Sequence, residues 1–140
     1  MPRKGQFQPK EKGYASSKQL YHHYKKRAIK RGISFGIEFE LFRELTSMDC
    51  FYCGVKPLQV FSSSGLYNGD YIYNGIDRID SFKGYETDNC RPCCKTCNYM
   101  KQRLSEKEFV SHIENILVNL YGDKKIKNIR RNSTRNVRKP

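Results

Sequence analysis

Asn74-Gly75-Ile76-Asp77-Arg78-Ile79-Asp80, then Cys90-Arg91-Pro92-Cys93 and Cys94-Lys95-Thr96-Cys97-Asn98, is the stretch whose reading decides the fold. It predicts a strand over residues 71–78, a loop over 81–89 containing Gly84, a short return strand over 90–93, and a helix from Cys94 to about Arg103. Strand, return strand and helix folded on one another place the chain in the α+β class. Asp77 falls at the end of the first strand and Asn98 near the start of the helix. If the hairpin lies on the helix, a carboxylate and an amide oxygen converge. Two hard oxygen ligands, with the other positions left to water and phosphate, suit a catalytic Mg2+ or Mn2+.

A second metal is expected from the cysteines. Cys50 and Cys53 form one C-x2-C turn, and Cys94 and Cys97 form another. Each turn sets two thiolates on one side of a bend, and two such turns complete a tetrahedral sulfur site for Zn2+. Cys90 and Cys93 make a competing pair. Cys94 and Cys97 are preferred because zinc at Cys97 would fix the helix end that carries Asn98. A site closed by four sulfurs has no open position, so this zinc holds the fold and leaves the chemistry to the other ion. In a reducing compartment six cysteines read as ligands rather than disulfides.

The remainder of the 140 residues frames this centre. Only 37% of them are hydrophobic and none is Trp, a thin core that a metal staple would reinforce. The net charge of +13 calls for a polyanionic partner, and double-stranded DNA is the first candidate. No apolar run is long enough to span a bilayer, and the first 17 residues lack the apolar core of a secretory signal, so the expected setting is the cytoplasm, with no membrane partner. Residues 1–17 read as a disordered basic arm, 18–122 as the folded domain, and 123–140 as a disordered basic tail. Residues 18–31 should form a helix on Leu20, Tyr24 and Ala28, stopped by Gly32, and residues 38–46 a second on Leu41, Phe42 and Leu45. Ser105 and Glu108 form a capping box ahead of a third helix, whose stripe of Phe109, Ile113, Ile116, Leu117 and Leu120 reads as core. Lys25, Lys26, Arg27, Lys30, Arg31, Lys101 and Arg103 are the expected DNA contacts.

The run Asp77-Arg78, Gly84-Tyr85, Asn89, Cys94-x2-Cys97-Asn98 and Met100-Lys101 resembles the HNH (ββα-metal) endonucleases. The stretch from Tyr24 through Arg31-Gly32 to Cys50-Phe51-Tyr52-Cys53-Gly54 is similar to small phage members of that family, so the likeness covers roughly residues 20–120. It implies a β-hairpin and a helix around one catalytic ion, with Asp77 and Asn98 as its ligands. Most of the family has Asp-His here, the His serving as general base, whereas this chain has Arg78. Arginine stays protonated and cannot take a proton from water. A restriction-type variant of the family carries the same Asp-Arg pair at the same spacing. That resemblance implies that a tyrosine inside the first C-x2-C turn, Tyr52 here, activates the water while Arg78 neutralises charge on the scissile phosphate. Asn89 is expected to pin the loop, and Asp80 to order it.

Two other functions compete. A zinc-stabilised DNA-binding module would keep the clasp and have lost the base, and an RNA-binding zinc protein would use the same charge. The preserved Asp77 and Asn98 pair favours the nuclease, because a pure binder has no use for two oxygen ligands at metal spacing. Cutting both strands with one small centre would call for a homodimer.

Overall fold

The computed structural model describes residues 11–62, 69–124 and 126–128. Its elements run α1 (Tyr14–Lys30), α2 (Phe39–Ser47), β1 (Gln59–Phe61), β2 (Tyr71–Tyr73), β3 (Gly75–Arg78), β4 (Cys90–Cys93), α3 (Lys95–Lys101) and α4 (Glu106–Tyr121). The chain divides into two compact units, residues 1–102 and 103–140. Among the described residues no helix is long and apolar enough to cross a membrane.

In the first unit two small antiparallel ladders follow each other. β1 pairs with β2 and β3 pairs with β4. The sequence pattern predicts one strand over 71–78, but Asn74 divides it. Its side chain is buried and donates to the carbonyls of Met48 (3.0 Å) and Val55 (3.1 Å), while its backbone N–H donates to Thr46 O at 2.8 Å. Those bonds divert the backbone from one ladder to the next and tie it to the end of α2 and to the first cysteine turn. The core is Leu20 from α1, Ile37, Phe42 and Leu45 around α2, Ile76 from β3 and Cys90 from β4, ringed by aromatic residues including Tyr21, Tyr24, Phe35 and Tyr85. Tyr24 meets Phe42 edge to face at 5.2 Å, and Phe35 lies tilted against Tyr85 at 5.4 Å. Between α1 and α2, Phe35 forms an isolated parallel bridge with Tyr85.

Both charged ends differ from expectation where they are described. α1 begins at Tyr14, after Gly13 in a left-handed conformation (φ 79°), so residues 14–17 belong to the helix rather than to the arm. A side chain at Gly13 would strike the Asp70 carbonyl, which excludes other residues from that start. At the other end, residues 123, 124 and 126–128 are helical, which shortens the expected tail; residues 1–10 and 129–140 lie outside the described residues.

In the second unit α4 opens on the predicted capping box. Ser105 Oγ accepts from the Glu108 N–H (3.3 Å), and the Glu108 carboxylate accepts from the Ser105 N–H (2.9 Å). The stripe behind the cap is less buried than its periodicity implies. Phe109 is buried and Ile113 and Leu117 are half-buried, but Ile116 and Leu120 are exposed. A unit of so few residues has little interior in which to bury a whole helix face.

Candidate active site

The cysteine clasp forms from local geometry. The turn after α2 carries Cys50 and Cys53, with the Gly54 N–H bonded to Cys50 O at 2.9 Å. Cys94 caps α3, its sulfur accepting from the Cys97 N–H at 3.4 Å. The sulfurs of Cys50, Cys53, Cys94 and Cys97 all lie within 4.8 Å of one another, and Cys53 and Cys94 are 3.7 Å apart. A tetrahedral Zn–S length of about 2.3 Å sets sulfur–sulfur edges of about 3.8 Å, so the cluster has the size of a zinc site. The acid–base chemistry agrees. Burial pushes the Cys50 thiol up, but hydrogen bonds from the backbone of Cys53, Cys94 and Tyr52 outweigh it and bring it down to about 6. Burial raises Cys94 and Cys97, and hydrogen bonds with the sulfurs of Cys53 and Cys50 add to the rise in both. Thiols so placed ionise together only around a cation. Cys90 stands apart in the hydrophobic core, its thiol pushed up to about 12 by burial, and Cys93 is fully buried beside the cluster with its thiol also raised by burial.

Asp77 is the buried acid of the hairpin, 3% exposed on β3. The Tyr52 hydroxyl donates to its Oδ2 at 2.8 Å. The Lys101 ammonium donates to its Oδ1 at 3.1 Å and to the Arg78 carbonyl at 3.2 Å. Tyr52 comes from inside the first cysteine turn and Lys101 from the end of α3, so the clasp and the acid are one construction. Burial, followed by the bond to Asp77, raises the Tyr52 phenol far above its ordinary value. Asn98 is exposed on α3, which packs against β3. It lies three residues before Lys101, and among the described contacts Asp77 is reached by Tyr52 and Lys101 rather than by Asn98.

Lys101 corrects an expectation. It is 0% exposed and bound to Asp77, not displayed for DNA. α3 turns Lys101 inward beneath β3, where its charge compensates a buried carboxylate. Arg91 is a residue that sequence reasoning missed. It faces Asp77 across the β3–β4 ladder, is buried, and holds its guanidinium 4.2 Å from the Phe51 ring and 5.6 Å from the Tyr52 ring. Only the hairpin register reveals it.

Arg78 does not reach back toward Asp77. Its Nη1 donates to the carbonyls of Ser81 (2.9 Å) and Lys83 (2.6 Å), and its guanidinium lies 5.5 Å from the Tyr85 ring. Asn89 pins the loop as expected: Oδ1 accepts from the Asp80 N–H (2.8 Å), and Nδ2 donates to the carbonyls of Asp80 (3.1 Å) and Gly84 (2.8 Å). Asp80 orders the turn by accepting from the Phe82 N–H at 2.9 Å. Lys25, Lys26, Arg27 and Lys30 are exposed on α1 and Arg31 at its C-cap, and Arg103 is exposed in the second unit. His22 and His23 are exposed on α1, His23 packing on Phe61 at 5.3 Å.

An antiparallel hairpin, a following helix and a four-cysteine cluster that could hold zinc define an α+β fold of the HNH (ββα) kind. A solved structure of that kind is the rare-cutting HNH restriction endonuclease PacI, described for how it perturbs DNA. This chain matches it with a TM-score of 0.52 at 22% identity, over 81% of this chain and 87% of that one. The likeness is one of fold. An uncharacterized protein of Acanthamoeba polyphaga mimivirus is 37% identical over 82 residues, which are 59% of this chain. The chain thus spans 13% of that relative's length. No family model matches the chain.

Proposed function

We propose that this chain is a divalent-metal-dependent endonuclease that hydrolyses phosphodiester bonds in double-stranded DNA, with a structural zinc on Cys50, Cys53, Cys94 and Cys97. The observation that carries the reading is the buried Asp77 carboxylate, held between Tyr52 and Lys101 within a hairpin–helix unit that the cysteine cluster fastens. The likeness in fold to an HNH endonuclease and the charge of +13 support it.

The donor set suits a second, catalytic ion. A carboxylate offers about four lone-pair positions, of which Tyr52 and Lys101 engage two, and Asn98 adds an amide oxygen from an exposed position. Mg2+ or Mn2+ held there would supply positive charge to the scissile phosphate and the leaving oxygen. The protein's own groups do the rest. Arg78 has N–H groups beyond the Nη1 that grips the loop, and these neutralise charge on the phosphate. Tyr52 orients the attacking water. Its surroundings hold its proton in place, which favours orientation over deprotonation. Lys101 holds Asp77 in place through the ion pair at Oδ1. The exposed basic residues of α1, together with Arg103, grip the DNA backbone.

The alternative, a DNA-binding module without activity, draws on one observation: the described partners of Asp77 include no imidazole. Incubating supercoiled plasmid with the zinc-loaded protein and Mg2+ or Mn2+ separates the two, beside Asp77→Ala and Asn98→Ala. Nicked or linear product that vanishes in both variants is expected. A folded, DNA-binding protein that leaves the plasmid intact overturns the nuclease and leaves the module.

A further inference from the structure

We infer that Phe82 is a wedge that inserts between base pairs of duplex DNA beside the cutting centre. This rests on the nuclease reading and extends it. Phe82 is 94% exposed at the tip of the loop between β3 and β4, four residues after Arg78. An exposed apolar side chain is ordinary by itself. What sets Phe82 apart is the bracing of the backbone beneath it.

The turn closes through the Lys83 N–H to Asp80 O at 3.2 Å, and the Phe82 N–H is bound by the Asp80 carboxylate at 2.9 Å. Arg78 holds the carbonyls on either side of Phe82, those of Ser81 and Lys83. Asn89 ties both ends of the turn, at Asp80 and at Gly84. The loop is then anchored to a second segment. The Tyr85 N–H donates to Ser34 O at 2.9 Å, the Ser34 hydroxyl donates to Glu86 at 2.8 Å, and Gly84 packs so closely on Ser34 that a side chain there would collide with it. These bonds fix the backbone and leave the ring in water.

The ring itself is solvated and adds no packing to the free protein, yet it stands on a rigid mount, which is what a stacking element requires. A ring whose backbone is already ordered loses little entropy on binding, and aromatic or apolar side chains wedged between base steps unstack and kink the duplex. The neighbours suit a polyanion: Lys83 follows the ring and Arg78 lies beneath it, in a chain of charge +13. Arg78 braces the turn through Nη1 and is also the proposed neutraliser of the phosphate, so insertion of Phe82 would bring the backbone of the opened step to the Arg78 guanidinium.

A plasmid topology assay tests this without knowledge of a recognition sequence. Relaxed closed-circular plasmid is incubated with the full, zinc-loaded protein and a metal-independent topoisomerase, with no Mg2+ added, and supercoils are read after the protein is removed. Wild type should leave a change in linking number that Phe82→Ala loses and Phe82→Trp keeps, while the affinity of Phe82→Ala for duplex falls about tenfold. Equal supercoiling by wild type and Phe82→Ala overturns the wedge, as does wild type that binds plasmid without changing its linking number. Metal-dependent nicking of the same plasmid is the second readout. Nicking without a topology change sinks the wedge alone, whereas neither binding nor nicking removes the nuclease reading with it.

Discussion

At the scale of single residues the site turns on an ion pair held out of water. Asp77 is 3% exposed and Lys101 is 0% exposed, with 3.1 Å between their charged atoms. Removing one member of such a pair leaves the other charge uncompensated, which is costly even where the intact pair adds little net stability. Lys101→Met should therefore destabilise the zinc-loaded protein by about 3 kcal/mol or more, read as a lower urea midpoint. Adding Asp77→Asn should recover much of the loss, because the stranded charge is then gone. If the single variant unfolds like wild type, the pair does not compensate charge in solution. Tyr52 makes a separate prediction. Tyr52→Phe keeps the ring beside Phe51 and Arg91 and removes only the hydroxyl on Asp77. Cleavage should fall about a hundredfold, the cost of a reacting group misplaced by about 1 Å, while DNA affinity stays put. Full activity in Tyr52→Phe beside a dead Asp77→Ala would remove tyrosine from the chemistry.

At the scale of elements, the cysteine turns do two jobs that one substitution can separate. Cys97→Ser should lower bound zinc from one ion per chain to little or none, measured by atomic absorption, and lose cleavage, since α3 carries both Asn98 and Lys101. Cys90→Ala should keep the zinc, because Cys90 packs with Leu20, Phe42 and Ile76 and away from the sulfur cluster. Zinc lost in Cys90→Ala and kept in Cys97→Ser would reverse the choice of ligands. That choice was legible in the sequence, because spacing alone nominates both C-x2-C pairs and the position of Asn98 decides between them. The hairpin, the capping box at Ser105 and the loop-pinning by Asn89 were legible for a similar reason: each is a local pattern with local causes. What the sequence hid depends on distant contacts. Asn74 divides an apparent strand because Met48, Val55 and Thr46 claim its polar groups. β1 has no strong alternation and exists through its pairing with β2. Lys101 reads as a surface cation until the turn of α3 beneath β3 is known, and Arg91 gains meaning only from lying opposite Asp77.

At the scale of the whole molecule, charge sets how the protein meets DNA. The folded units neutralise few of the 27 basic residues internally, with Arg43 paired to Glu11 and Lys101 to Asp77 among those described. Lys25, Lys26, Arg27 and Lys30 instead line α1 in solvent, with Arg31 at its C-cap, far more cationic surface than solubility requires. Each lysine or arginine that displaces a counterion from a duplex phosphate steepens the fall of affinity with salt by about 0.9 in the double-logarithmic slope. If α1 lies against the DNA backbone, replacing Lys25, Lys26 and Lys30 together by Gln should flatten that slope by about three and weaken binding alike on unrelated sequences, as measured by fluorescence anisotropy across a salt series. The same variant should keep its zinc and its urea midpoint, because these side chains are exposed and leave the core untouched. An unchanged slope would move the phosphate contacts off α1, and the +13 charge would then act through other basic residues of the chain.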